Sequence, residues 1–350
     1  MSKTKPVYLS ASRLKTVKMC SWLYWCKYHQ RLPDQSNDGA SRGTVCHLIF
    51  ECLGKPSRRH YYDVILEHND PFAVDSIKRL ILRHASILGV DDEENLEMIK
   101  KMIVAGLGYD FFGKKISKPS QTFSEYEFDM QIKEGAKDYA IRGFIDKLFI
   151  YDKKNVALIR DFKTSKQVFK GEDKKKNLQD YFYSLAVKHL FPDVKNRNSE
   201  FVFVKFDLDA EHKPKGLIKM RKISDKKLDE FEVELTQAQQ YLSKFNYYSA
   251  INGYAADKPN PKDGSFGGPI ACGRAKYRGQ PKKDGSPMWH CVYKFPFDYY
   301  GLFDENDKLI KTEFPEHYSA LLKNKKEKFS IKKLHYAGCP RWNYLDTPVW

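Results

Sequence analysis

The chain has 350 residues, of which 41% are hydrophobic and 14% aromatic, enough for a packed core and too apolar for a disordered polypeptide. Lysine and arginine outnumber the acids by 61 to 45, a formal charge of +16 that favours a polyanionic partner, either nucleic acid or an anionic surface. No apolar run reaches the ~18 residues of a membrane span, and the N-terminus lacks a signal-peptide-like apolar segment. A cytoplasmic protein that needs no membrane is therefore expected. In a reducing compartment its seven cysteines would be free thiols or metal ligands.

Ser10 to Arg31 reads as a helix, with Ser10 or Ser12 as N-cap, Leu14, Val17, Trp22 and Trp25 as apolar positions, and Leu32-Pro33 as the stop. A loop rich in Asp, Ser, Asn and Gly, Asp34 to Arg42, leads into a second helix over Gly43–Leu53. Helical periodicity continues over 60–118, through Ile77, Leu80, Ile81 and Leu88, then Met98, Met102 and Ile103. The period then changes to alternation, which predicts strands over Ser124–Ile132, Ala140–Ile150 and Val156–Lys163. A helix over Lys176–Leu190, a strand over Glu200–Leu208 and a long helix over Ser224–Ser249 follow. From Gly253 the chain is rich in Gly, Pro and Lys, and little regular structure is expected before a basic stretch, Lys323–Lys333. This order implies an α/β core with a mixed sheet. Four segments result: N-terminal helices of the core (1–53), a helical insertion (54–120), the core proper (121–250) and a basic extension (251–350).

Asp152-Lys153-Lys154-Asn155 joins the second and third strands. If Lys153-Lys154 form a two-residue turn, Leu148 faces Ile159 and Asp146 faces Asp161, while period-two alternation puts Lys163 on the same face beside Phe144. Opposed residues have Cβ atoms about 4.5–5.5 Å apart, and two carboxylates that close repel unless a proton or cation sits between them. Mg²⁺ or Mn²⁺, which prefer oxygen ligands, would suit the pair. Lys163 would then orient a water or offset developing phosphate charge. Helix Gly43–Leu53 carries His47 and Glu51 on one face, His47 as an imidazole ligand and Glu51 in support. Helix Lys176–Leu190 carries Gln179 and Tyr183, whose amide and hydroxyl can reach phosphate or water.

Taken together these motifs resemble the PD-(D/E)XK nuclease superfamily, in particular its RecB/AddB-like branch, which includes CRISPR-adaptation nucleases and is similar to phage exonucleases. The motifs are Ser10-Ala-Ser12-Arg-Leu14 with Cys20, Gly43-Thr-Val-Cys-His47, Gly143-Phe-Ile-Asp146, Asp161-Phe-Lys163-Thr164 and Gln179-Asp-Tyr-Phe-Tyr183, in family order from about residue 8 to residue 208. The resemblance implies a restriction-endonuclease-like core, a mixed central sheet flanked by helices. It further implies a metal held by His47, Asp146, Asp161 and the Phe162 carbonyl, with Lys163 as catalytic lysine and Gln179 and Tyr183 contributing. Glu125, where relatives often carry an acid, is read as structural. Some relatives hold an iron–sulfur cluster on one cysteine before the core and three after it. Cys20, Cys272, Cys291 and Cys339 offer a [4Fe–4S] or zinc site, although the last three are spread wider than the family pattern. Cys26, Cys46 and Cys52 read as packing residues.

Lys166, Lys170, Lys174, Lys175 and Lys176 crowd the loop after the third strand and offer a path for a DNA backbone, which the tail lysines would extend. The implied activity is metal-dependent phosphodiester hydrolysis, exonucleolytic, on DNA in replication, recombination or repair, and a phage origin with work in the host cytoplasm fits the composition. No ATP-motor motif is present, so a recombination, helicase or single-strand-binding partner is expected. The alternative from another class is a non-catalytic DNA-binding or assembly subunit on a nuclease fold.

Overall fold

The computed structural model describes residues 6–34, 37–165, 167–169, 176–206, 216–258, 272–322 and 324–342. It divides into two compact units, one of residues 1–11 and 36–240, the other of 12–35 and 241–350. Helices α1 (Ala11–Met19) and α2 (Ser21–Tyr24) introduce the second unit. Most of the expected N-terminal helix thus clusters with the C-terminal region.

The first unit holds α3 (Asp38–Gly54), α4 (Arg59–His68), α5 (Asp75–Leu88) and α6 (Glu93–Gly108). Asn37 caps α3 by accepting from the Ala40 N–H, so the helix starts five residues earlier than Gly43. Strands β1 (Gln121–Glu134), β2 (Lys137–Tyr151), β3 (Val156–Lys163), β4 (Asn196–Phe203) and β5 (Leu217–Lys219) form one sheet in chain order. Only β3 and β4 run parallel, as their crossover through α7 (Leu178–Leu190) requires. The expected mixed α/β core is therefore observed. Helices α3 to α6 do not stand apart from the sheet. Val45, Ile49, Phe50 and Leu53 of α3 share one buried cluster with Ile77, Ile81, Ile99, Met102 and Ile103, and with Phe162 and Val202 of the sheet. Helix α8 (Asp225–Ser243) meets α7 through Phe231 and Phe182, ring centroids 5.3 Å apart. The long helix predicted to Ser249 stops at Ser243, and α9 (Tyr247–Ile251) starts afresh behind an Asn246 capping box.

The β2–β3 connection is a four-residue turn, Asp152–Lys154 with Asn155 left-handed at φ 51°, rather than a two-residue one. Both turns give the same register, and Leu148 pairs with Ile159 as expected.

The second unit is more ordered than its Gly/Pro content suggests. Strands β6 (Phe297–Phe303), β7 (Leu309–Glu313) and β8 (Ser330–Tyr336) form an antiparallel sheet in the order β7-β6-β8, with α10 (Tyr318–Leu322) before β8. The aromatic run FDYYGLF supplies strand propensity that the surrounding turn residues hide. Tyr336 closes this core, accepting from the Trp22 indole at 2.8 Å and donating to the Tyr293 carbonyl at 2.9 Å. Three of the six lysines in the basic tail are answered by acids: Lys328 pairs with Glu305, Lys332 with Asp307 and Lys333 with Asp298. Part of it is strand β8, so it offers no free basic track over those positions.

Among the described residues, no helix is long and apolar enough to cross a membrane.

Candidate active site

Two glycines in the motifs are there because nothing larger fits. A Cβ on Gly43 would lie 2.7 Å from Thr164 Oγ1, so glycine lets α3 approach the end of β3 and brings His47, one turn on, over the sheet. A Cβ on Gly143 would meet the Phe128 ring at 2.5 Å, and that ring stands edge-on to Tyr183 at 6.3 Å. The first glycine thus positions an imidazole and the second helps seat a tyrosine.

The β2–β3 ladder ends with Lys147 opposite Arg160, which makes Asp146 and Asp161 the next opposed positions. Asp146 is 9% exposed and Asp161 only 2%. Asp146 Oδ2 accepts from the Phe162 N–H at 2.7 Å and lies 3.4 Å from His47 Nδ1. Burial, the Asp161 charge and Glu125 push the Asp146 carboxyl up to about 6, against the pull of His47. On His47 burial works against the charged form. Asp146, Glu125 and Asp161 outweigh it and hold the imidazole up at about 10. Without a metal the carboxylates are answered by a protonated imidazole, and a divalent cation bound there would displace that proton and take His47 as a neutral ligand.

Glu125, read from the sequence as a structural acid, lies beside this group. Its carboxylate is 3.7 Å from His47 Nδ1, and one ligand atom each from His47, Glu125 and Asp146 lie within 4.8 Å of one another. The β1–β2 ladder pairs Ser124 with Lys147 and Tyr126 with Ile145, and lapses at Glu125 opposite Asp146. There Glu125 takes φ 48°, a costly conformation for a non-glycine residue in a strand, of the kind that marks functional sites. No periodicity in the sequence signals this backbone. Glu51 instead pairs with Lys55 along its own helix at 3.1 Å, outside the cluster.

Asp161 is held from the other side. Gln179 Nε2 donates to Asp161 Oδ1 at 2.6 Å and Tyr183 OH donates to the same oxygen at 3.0 Å. Gln179 Oε1 accepts from Lys163 Nζ at 2.7 Å, and Lys163 Nζ lies 2.6 Å from Asp161 Oδ2. Gln179 and Tyr183 therefore position Asp161 and Lys163 rather than reach outward. Burial raises the Tyr183 hydroxyl well above its usual range, so it stays a donor. Asp161 Oδ2 accepts no well-directed hydrogen bond and keeps only its ion pair. The donor set of carboxylates, one imidazole and an underused buried oxygen fits a hard divalent cation.

Phe162 packs its ring on Phe50 at 4.4 Å, so the side chain is core and only its backbone is available to the site. Lys176 is exposed just before α7. Lys166, Lys170, Lys174 and Lys175 lie outside the described residues.

Within the second unit, Cys20, Cys272, Cys291 and Cys339 line one pocket despite their scatter along the chain. Cys20 caps α2 by accepting from the Leu23 N–H, which ends α1 there. Burial pushes the Cys339 thiol up to about 12 and Cys291 to about 11, and the four thiols perturb one another's charge. Among the described residues the His47 group is the one whose three ligand atoms fall within 4.8 Å, so the thiols are spread wider than that. Zinc–sulfur bonds of about 2.3 Å would bring tetrahedral thiolates to about 3.8 Å apart. Cys26 and Cys46 are fully buried packing residues, as expected, whereas Cys52 is half-buried and accepts from Arg58.

A family model described as the PD-(D/E)XK nuclease superfamily matches residues 8–278. No curated protein matches the chain.

Proposed function

The chain belongs to the PD-(D/E)XK nuclease superfamily, phosphodiester-hydrolysing enzymes that depend on a divalent metal, and from that premise we propose that it is a deoxyribonuclease of the RecB-like branch, cutting DNA from its ends with Mg²⁺ or Mn²⁺. The observation that carries this reading is the His47–Glu125–Asp146 group beside an Asp161–Lys163 pair braced by Gln179 and Tyr183. Its motif order supports exonucleolytic work on DNA in replication, recombination or repair, with a helicase, recombination or single-strand-binding partner, in a host cytoplasm if phage-encoded.

His47, Glu125, Asp146, Asp161 and the Phe162 carbonyl would hold the cation, which supplies Lewis-acid polarisation of the phosphate and a lowered pKa for water. Asp161 has one oxygen committed to Gln179 and Tyr183, which leaves Oδ2 for the cation and Lys163. Lys163 is a quarter exposed, so its ammonium can leave Asp161 to hydrogen-bond a phosphate oxygen or the attacking water. The test is cleavage of end-labelled single- and double-stranded DNA with Mg²⁺ or Mn²⁺. Tight DNA binding without cleavage under any metal would replace this reading with a binding subunit.

Glu125→Gln is expected to weaken metal binding by about 10–100-fold, the range seen when a supporting carboxylate is lost. Isothermal titration with Mn²⁺ measures it, and an unchanged affinity would return Glu125 to a structural role.

The four cysteines would hold a [4Fe–4S] cluster that staples the ends of the second unit's chain together. Protein purified without oxygen should then show a broad visible absorption that Cys20→Ala and Cys339→Ala each remove. Stoichiometric zinc in place of iron would sink the cluster assignment.

A further inference from the structure

We propose that the hairpin spanning residues 272–291 grips single-stranded DNA, with bases stacking on Tyr277 and Trp289 and phosphates held by Arg274, Lys276, Lys282 and Lys283. The choice of DNA as ligand rests on the nuclease reading above. The hairpin is braced along its length: Cys291 N–H donates to the Cys272 carbonyl at 3.0 Å, Met288 N–H to Gln280 at 2.7 Å and Lys282 N–H to Ser286 at 2.7 Å. A tight turn through Gly285, at φ 79°, closes the tip. At the base, a Cβ on Gly273 would come within 2.3 Å of the Trp289 carbonyl, so the two arms touch there.

This braced scaffold carries large rings in water. Trp289 is 60% exposed and Tyr277 58%. Trp22, by contrast, is 5% exposed in the core of the same unit. Holding two such rings out of a core forgoes hydrophobic stabilisation, which a flat apolar ligand would restore. On the same hairpin Arg274, Lys276, Lys282 and Lys283 are all exposed. The hairpin's one acid, Asp284, is occupied by the Ser286 N–H and hydroxyl. Arg278 is a structural cation, donating inward to the Val292 and Phe295 carbonyls.

Cations alone would fit any polyanion. Rings decide between forms, because a duplex hides its base faces within the stack while unpaired bases present theirs. A single strand therefore matches both features at once. An acidic protein would use the cations and leave the rings idle.

The experiment is fluorescence anisotropy of a labelled oligonucleotide with the full chain in EDTA, where no metal-dependent cleavage occurs. Unpaired DNA should bind more tightly than a blunt duplex of equal length. Trp289→Ala and Tyr277→Ala should each weaken binding about tenfold, the loss of one stacked base, and Trp289→Phe should restore most of it. Lys282→Ala with Lys283→Ala should flatten the plot of log affinity against log salt by about 1.4. Alanine variants that bind unpaired DNA as the parent does would overturn the proposal, as would preference for duplex or for single-stranded RNA. These outcomes separate from failure of the nuclease reading. Cleavage with unaffected hairpin variants removes only this inference, whereas Trp289-dependent binding without cleavage under any metal removes only the other.

Discussion

Asp161→Asn is expected to lower kcat by about 10³-fold or more, with the melting temperature in EDTA unchanged or raised. The rate loss follows because the substitution removes the oxygen left for the cation, and metal stabilisation of transition-state charge is worth several kcal/mol. Retained stability follows from the same geometry. The amide oxygen of the introduced asparagine can still accept from Gln179 and Tyr183, which hold the carboxylate at 2.6 and 3.0 Å in the parent. The lost Lys163 ion pair at 2.6 Å is offset because Asp146, raised to about 6 by burial and by the Asp161 charge, loses its like-charged neighbour. Steady-state cleavage with Mg²⁺ and Mn²⁺, set beside a thermal melt, checks both halves. Parent-level cleavage would remove Asp161 from the site.

Glu232→Ala should cost about 3–5 kcal/mol, the range for removing one partner of a buried charge network. Glu232 is 0% exposed. Its carboxylate accepts from Lys137 and Tyr139, each at 2.6 Å, and faces His189 Nε2 at 3.0 Å, tying α8 to β2 and α7. Burial by itself would raise its carboxyl, but the hydrogen bonds from Lys137, Tyr139 and His189 prevail and hold it down at about 2. A depressed folded-state value stabilises above the ordinary carboxyl range near 4.5 and is lost as pH falls towards 2. The difference between parent and variant should therefore be full at pH 7 and shrink below pH 4.5. Urea melts at pH 7 and pH 3 measure it, and a difference that does not change with pH would show that the charge is not what stabilises.

Asp146 was legible because strand alternation and hairpin register are local properties. A two-residue turn and the observed four-residue turn are centred on the same point, so Leu148 meets Ile159 either way and the carboxylates follow. His47, Lys163, Gln179 and Tyr183 were legible as motif positions, but the role of the last two was not. Whether an amide or hydroxyl faces solvent or a neighbouring carboxylate depends on how α7 packs on β3. Glu125 was hidden for a different reason. Its backbone is left-handed in mid-strand, a conformation that no residue pattern encodes and that its surroundings must hold in place.

The C-terminal sheet was hidden by composition. Turn residues between β6, β7 and β8 outweighed three short strands, and two of those strands pair across the intervening α10. The cysteines show the same limit more sharply, since spacing along the chain says nothing about four thiols from its two ends until the fold joins them. By itself the sequence determined the α/β class, the order of elements, the face shared by Asp146, Asp161 and Lys163, and a strongly basic surface. These rest on period and charge, which act over a few residues. It took the folded chain to bring Glu125 beside His47 and Asp146, Gln179 and Tyr183 onto Asp161, residues 12–35 into a cluster with 241–350, and the four cysteines into one pocket. Each of these is an encounter between segments distant in sequence. Packing, not local propensity, meets the entropy cost of bringing them together.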